Sequence, residues 1–116
     1  MEQTLVDLDE KIQFIYNFLR FAQSSYLIIV DSGMNGDTAS AIFTGVNQIT
    51  KNFPVLPVNH TIGKHTCQSH AFVVEEKMKI IITVDHLSEW MKRMIKEWDT
   101  KLVMFDSHSR RNSPEW

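Results

Sequence analysis

Asp106 and His108 are the residues of this sequence whose types and spacing most clearly indicate catalysis. They follow the apolar run Lys101–Phe105 and are two positions apart, so in an extended chain both side chains emerge on one face. A carboxylate beside an imidazole fixes the tautomer of the ring and leaves the second ring nitrogen able to act as a base. Arg110 lies two positions after His108, on the same face of an extended chain, and is a candidate ion-pair partner of Asp106. The pattern predicts an acid–base pair at the end of a strand.

The string from Phe105 to Arg110, Phe-Asp-Ser-His-Ser-Arg, resembles a strand of papain-like cysteine proteases. The family is that of the herpesvirus large-tegument-protein deubiquitinases and their relatives in transposable elements. The resemblance implies that Asp106 orients the ring, that His108 is the general base, and that the partner is ubiquitin or a host protein. It also implies a viral or mobile-element origin. The runs Ala71–Val74 and Lys79–Ile82 are similar to the antiparallel strands that lead into this strand in that family.

The cysteine content changes what that resemblance implies. The family places its nucleophilic cysteine far upstream, at the start of a buried helix. The helix predicted to begin at Asp37 contains no cysteine, and Cys67 is the only thiol of the chain and the remaining candidate nucleophile. We therefore expect a catalytically incomplete, deubiquitinase-related domain that acts by binding protein.

Cys67 also belongs to a second pattern, a set of side chains that can bind metal. His65, Cys67 and His70 supply three potential ligands within six residues, and a structural zinc site needs a fourth. The paired Cys-x-x-Cys spacing of zinc modules is missing, so a partly buried thiol in a loop is the alternative interpretation.

The segment from Asp31 to Asp37, Asp-Ser-Gly-Met-Asn-Gly-Asp, is a third candidate site. Gly33 and Gly36 allow backbone N–H groups to approach an anion, and the two aspartates can instead hold a divalent cation. The segment loosely resembles the Asp-rich strand-loop-helix of DHH-type phosphoesterases. A turn that needs Gly33 and Gly36 for positive φ, followed by Asp37 as helix cap, is the alternative interpretation.

Together these residues predict an alternative function, a metal-dependent or phosphate-handling hydrolase that uses Asp31, Asp37, Asp106 and His108. These four side chains can come together only if the strands Tyr26–Val30 and Leu102–Phe105 are adjacent and parallel. No bound organic cofactor is expected, because the chain has neither a Walker lysine nor a Gly-x-Gly-x-x-Gly pattern.

Trp90 and Trp98 indicate a third function class, a dimeric interaction protein without a catalytic site. Both are predicted on one short helix, where two tryptophans are difficult to bury completely. One of them is therefore a candidate contact with a protein partner, which includes a second copy of the chain, and packing in the core is the alternative interpretation.

Three segments have the apolar spacing of amphipathic helices, each preceded by an aspartate that can cap the first turn. The caps are Asp7, Asp37 and Asp85, and the helices are predicted to reach about Ala22, Thr50 and Trp98.

Short apolar runs between these helices predict the strands. They are Tyr26–Val30, Val55–Val58, Ala71–Glu75, Lys79–Val84 and Lys101–Phe105. The second is expected at a sheet edge because Pro54 and Pro57 lack backbone donors, and the polar residues 60–70 are expected to form a loop. The predicted fold is α/β, one compact domain over residues 1–116 with a mixed sheet of about four or five strands and three helices.

The whole-chain composition excludes several classes. The net charge is −2 over 116 residues, which argues against nucleic-acid binding, and one cysteine excludes an internal disulfide. The longest apolar stretch, Leu27–Val30, is too short to span a membrane, and no signal-peptide pattern opens the chain. An intracellular location, cytoplasmic or nuclear, is expected.

Overall fold

The computed structural model describes residues 3–31, 37–50, 55–62 and 64–105, with the backbone alone at 55–60 and 65. In chain order the elements are β1 (Thr4–Leu5), α1 (Leu8–Arg20), β2 (Tyr26–Asp31), α2 (Asp37–Asn47), β3 (Val55–Ile62), β4 (His65–Val74), β5 (Lys77–Val84), α3 (Glu89–Ile95) and β6 (Thr100–Phe105). The strands form one sheet in the order β1-β6-β2-β5-β4-β3. The predicted α/β class is confirmed, and the sheet of the described residues has six strands rather than four or five.

The sheet has a parallel half and an antiparallel half. β6 and β5 both pair in parallel with β2, whereas β4 pairs antiparallel with β5 and with β3. The continuous apolar run of β2 fits its central place, because Leu27–Val30 are buried and each face of the strand meets a layer of side chains.

Alternate residues of β2 belong to two hydrophobic clusters. Leu27 and Ile29 pack with α1 and α2 on one face of the sheet, and Ile28 and Val30 pack with α3 on the other. The α1–α2 face carries the larger cluster. No helix of the described residues is long and apolar enough to cross a bilayer.

The loop predicted over residues 60–70 is wrong. β3 extends to Ile62 and β4 begins at His65, so most of this segment is a β-hairpin. The segment contains few apolar residues, but its backbone pairs on both sides, with Gln68 opposite both Thr83 and Asn59. Backbone pairing does not need apolar side chains, which is why composition gave no sign of it. The predicted edge position is confirmed, since β3 ends the sheet.

The prediction that Asp85 caps the third helix is also wrong. Ser88 is the N-cap of α3, and its Oγ accepts a hydrogen bond of 3.1 Å from the backbone N–H of Met91. α3 ends at Ile95, so Trp98 lies beyond it. The cap at Asp7 is confirmed, because its side chain accepts from the N–H of Asp9 at 3.0 Å.

Candidate functional site

The carboxyl ends of β6, β2 and β5 lie side by side, which is the arrangement that the hydrolase prediction required. Asp31, the last residue of β2, pairs with Phe105 at the end of β6. On the other side Val30 pairs with Val84, so Asp85 follows β5 at the level of Asp31. In parallel α/β sheets, ligands bind outside the carboxyl ends of the strands. We call this region, defined by Asp31, Asp37 and Asp85, the acidic edge.

Asp31 is the most buried carboxylate of the acidic edge. It is 1% exposed, and its Oδ2 accepts a hydrogen bond from the Oγ1 hydroxyl of Thr38, which is also buried. Residues 27, 29 and 31 share the face that packs on α2, which brings Asp31 toward Thr38. A carboxylate removed from water needs such partners, because burial of an unpaired charge is costly.

Asp37, the first residue of α2, pairs with a lysine that sequence reasoning missed. Lys11 Nζ lies 3.5 Å from Asp37 Oδ2 and 5.1 Å from the ring centroid of Phe105. Lys11 is fully buried, whereas the Asp37 side chain is 30% exposed. The signal was present in the sequence, since Lys11 lies four residues before Ile15 on the apolar stripe of α1.

Asp85 is the exposed carboxylate of the acidic edge. His86 Nδ1 donates to Asp85 Oδ1 at 3.1 Å, and this hydrogen bond holds the pKa of Asp85 below its ordinary value. Its side chain is 60% exposed and therefore accessible to a ligand. Sequence reasoning assigned it only a capping role.

Several predicted site residues lie outside the described residues. They are Gly33, Gly36, Asp106, His108 and Arg110. In the described part of the chain, no three His, Cys, Asp or Glu side chains are close enough together to hold a metal ion. A metal site at the acidic edge therefore needs ligands from beyond that part.

Cys67 and His70 are not brought together. They lie three positions apart on β4 and so face opposite sides of the sheet. Cys67 packs with the α3 cluster, and His70 contacts Phe43 of α2 with ring centroids 6.3 Å apart. The side chain of His65 is outside the described residues. The strand geometry therefore gives Cys67 and His70 no shared ligand position.

Cys67 has the surroundings of a core thiol. It is 4% exposed inside a strand, it packs in the apolar α3 cluster, and burial raises the pKa of the thiol. A nucleophilic cysteine needs the opposite, a pKa lowered by a positive environment.

The two tryptophans have different environments. Trp98 is half-buried and packs on Tyr26, with ring centroids 5.1 Å apart. Trp90, on α3, is 46% exposed, as is Met94 one turn later at 43%. Of the two tryptophans, Trp90 is therefore the more accessible.

A cleft opens beside Asp31 on the α2 face of the sheet. It holds about 230 Å³. The described residues that line it come from β2, α2, β4 and β5, and are Asp31, Thr38, Ala39, Ile42, Gln68, His70 and Thr83.

Comparison with known proteins returned no relative, since no family model, curated protein or solved structure matches this chain. The papain-like resemblance stays a prediction, because Asp106 and His108 lie outside the described residues. The similar strand pair, β4 and β5, is antiparallel, but β2 lies between it and β6.

Proposed function

We propose that the chain is a metal-dependent hydrolase of phosphate esters or anhydrides, with its site at the acidic edge. The observation that carries the proposal is the adjacent, parallel pairing of β6, β2 and β5. It places Asp31 and Asp85 at one level, and Asp106 is the next residue in sequence after Phe105. The loose resemblance of the 31–37 segment to DHH-type phosphoesterases supports the same class.

The residue types at the acidic edge are ones that bind divalent cations, and the carboxylates there need further ligands from beyond the described residues. Carboxylates, with an imidazole from His108, are ligands that Mg²⁺, Mn²⁺ and Zn²⁺ accept. Carboxylates at neighbouring strand ends repel one another, and a bound cation relieves that repulsion. When bound, such a cation activates water and offsets the charge that develops on a phosphoryl group.

The described residues position the carboxylates for this role. Thr38 holds one oxygen of Asp31, and Lys11 lies against Asp37 from the interior. Asp85 is exposed to solvent and follows β5 at the level of Asp31. Rigid support of this kind keeps ligand groups in place before a cation arrives.

Metal titration with an assay of hydrolysis tests the proposal. Calorimetry with Mn²⁺, Mg²⁺ and Zn²⁺ should show binding, and bis(4-nitrophenyl) phosphate should be hydrolysed with at least one of them. Asp31→Asn and Asp85→Asn should each weaken metal binding by about tenfold or more. Glu97→Gln removes an exposed carboxylate beyond α3 and should change neither the metal affinity nor the rate of hydrolysis. No binding of any of the three metals overturns the proposal.

Protein binding through α3 is a second candidate function, favoured by the exposure of Trp90 and Met94. This second function is the one that agrees with the protein partner and the intracellular location expected from the sequence. If the partner is a second copy of the chain, light scattering should show a molecular mass that rises with concentration. The Trp90→Ala variant should have a lower mass than the wild type at the same concentration. A monomer at all concentrations contradicts the dimer.

A further inference from the structure

We propose that Lys11 is an internal counter-ion of the acidic edge, which competes with a divalent cation for the carboxylate of Asp37. This inference rests on the proposed function and adds regulation to it, because the ammonium then determines how tightly the metal binds. The juxtaposition that carries it is a fully buried Lys11 Nζ at 3.5 Å from Asp37 Oδ2, beside the end of β6.

Lys11 reaches the acidic edge from the interior of the molecule. Its Nζ lies 5.1 Å from the ring centroid of Phe105, the residue that pairs with Asp31 between β6 and β2. The side chain of Lys11 is completely buried, whereas that of Asp37 is 30% exposed. A cation from solvent and the ammonium from the interior can therefore approach the same carboxylate.

A second buried lysine, Lys79, provides a comparison within the same molecule. It is 4% exposed, and its Nζ donates to the backbone carbonyls of Phe18 at 3.1 Å, Ala22, and Ser24 at 3.2 Å. Three acceptors match the three donors of an ammonium, and the carboxyl end of α1 favours a positive charge. Lys79 therefore has the partners of a lysine that only stabilises the fold.

Lys11 has no comparable set of acceptors. Among the described residues its Nζ has no hydrogen-bond partner, and Asp37 is the carboxylate with which it forms an ion pair. The ring of Phe105 adds only the weaker attraction of an aromatic face for a cation. A buried ammonium depends strongly on its counter-charge, so a ligand that draws Asp37 away acts directly on Lys11.

A divalent cation on Asp37 and the ammonium of Lys11 repel each other. The repulsion is poorly screened, because salt and water screen buried charges much less than exposed ones. To bind metal, the carboxylate must either leave the ammonium or hold both positive charges, and each alternative lowers the metal affinity. Without metal, the ammonium offsets part of the repulsion between the carboxylates of the acidic edge. The metal therefore binds reversibly to a chain that is already folded.

Lys11→Met tests the competition, because methionine fills a similar space without the charge. The affinity for Mn²⁺ is measured by titration, with free Mn²⁺ followed by electron paramagnetic resonance. Lys11→Met should bind Mn²⁺ about tenfold more tightly than the wild type, since the competing charge is gone. A merely structural role of Lys11 would give the opposite sign, a weaker affinity.

Lys101→Met is the matched control. It removes the same charge from an exposed position near the start of β6, at the strand end away from the acidic edge. Because exposed charges are screened over such a distance, its affinity for Mn²⁺ should stay within about twofold of the wild type. Lys11→Leu, a second uncharged variant, should show the same gain as Lys11→Met.

An Asp37→Asn background tests whether the effect depends on Asp37. In that background Lys11→Met should lose most of its gain, because the carboxylate for which the two cations compete is absent. A gain of full size there overturns the competition, and so does a Lys11→Met affinity equal to or weaker than that of the wild type. Both outcomes leave the hydrolase proposal standing. If neither the wild type nor any variant binds Mn²⁺, Mg²⁺ or Zn²⁺, the hydrolase proposal fails, and the competition fails with it.

Discussion

Lys11 and Asp37 form an ion pair whose two members differ in exposure, and this difference has an asymmetric consequence. Lys11 is completely buried, whereas water reaches part of Asp37. Asp37→Asn leaves a buried ammonium without its counter-charge, a change that costs about 3 kcal/mol. Lys11→Met leaves a carboxylate that water can solvate, and methionine fills the space against Phe105. The expected loss for Lys11→Met is less than about 1 kcal/mol.

Urea denaturation of the two variants with EDTA present measures this difference. The chelator removes metal, so that only the ion pair is compared. Asp37→Asn should be the less stable variant. Equal losses, or a larger loss for Lys11→Met, contradict the interpretation that Lys11 depends on Asp37.

Because of Cys67, the free energy of unfolding of the chain should depend on pH in the alkaline range. Burial raises the pKa of its thiol, so the folded chain keeps a proton that the unfolded chain loses above about pH 8.5. The folded state then binds more protons, and the free energy of unfolding falls as the pH rises. Between about pH 7 and pH 9.5 the wild-type chain should lose more stability than Cys67→Ala, as measured by urea denaturation. A decline of the same size in both chains contradicts the buried-thiol assignment.

At the level of elements, the contact between α1 and α2 depends on Gly45. A Cβ added at Gly45 would lie 2.6 Å from Ile15 Cγ2 and 3.1 Å from Ile15 Cβ. These atoms are close to the α1 backbone and cannot swing away, so the helices must separate. α1 carries Lys11 and α2 carries Asp37 and Thr38, so the same contact positions the acidic edge.

Gly45→Ala should therefore destabilise the chain, although alanine is the better helix former. Overpacking costs about 1–3 kcal/mol, and the gain in helix propensity of about 1 kcal/mol offsets only part of it. Ser40→Ala, at an exposed position of the same helix, is the matched control and should be neutral or slightly stabilising. Thermal denaturation that places Gly45→Ala above the wild type contradicts the close approach.

Elements with a strong apolar pattern were predictable from the sequence, and the others were not. α1 was predicted because its apolar residues recur at helical spacing, and β2 because its short continuous apolar run is typical of a buried strand. The second half of β4 was predicted as the strand Ala71–Glu75, but its first half was missed because it is polar and is defined by backbone pairs with neighbouring strands. Asp31 and Asp37 were identified from their types. Lys11 became a site residue through its ion pair with Asp37, and Asp85 through the parallel register of β2 and β5. That register depends on contacts that no local pattern encodes.

For the whole molecule, the central strand β2 is the most buried of the strands whose side chains the structure describes in full. β2 is buried from Leu27 to Asp31 and paired on both sides, whereas among the described strands β1 and β3 each have one neighbour. Amide hydrogen exchange should therefore be slowest in β2 and fastest in the two edge strands. Exchange followed by NMR measures this order. Slower exchange in β3 than in β2 contradicts it.

The parallel pairing of β2 with β5 and β6 also determines when the acidic edge comes into being. The β4–β5 hairpin joins neighbours in the chain and closes a short loop, whereas Asp31 and Asp85 come from opposite halves. Closing a long loop costs chain entropy before the contacts that stabilise it can form. The pairings of β2 with β5 and β6 are therefore expected to form late and slowly. During refolding, we therefore expect the acidic edge to form after the β4–β5 hairpin. We expect the same order for a chain that emerges gradually from a ribosome.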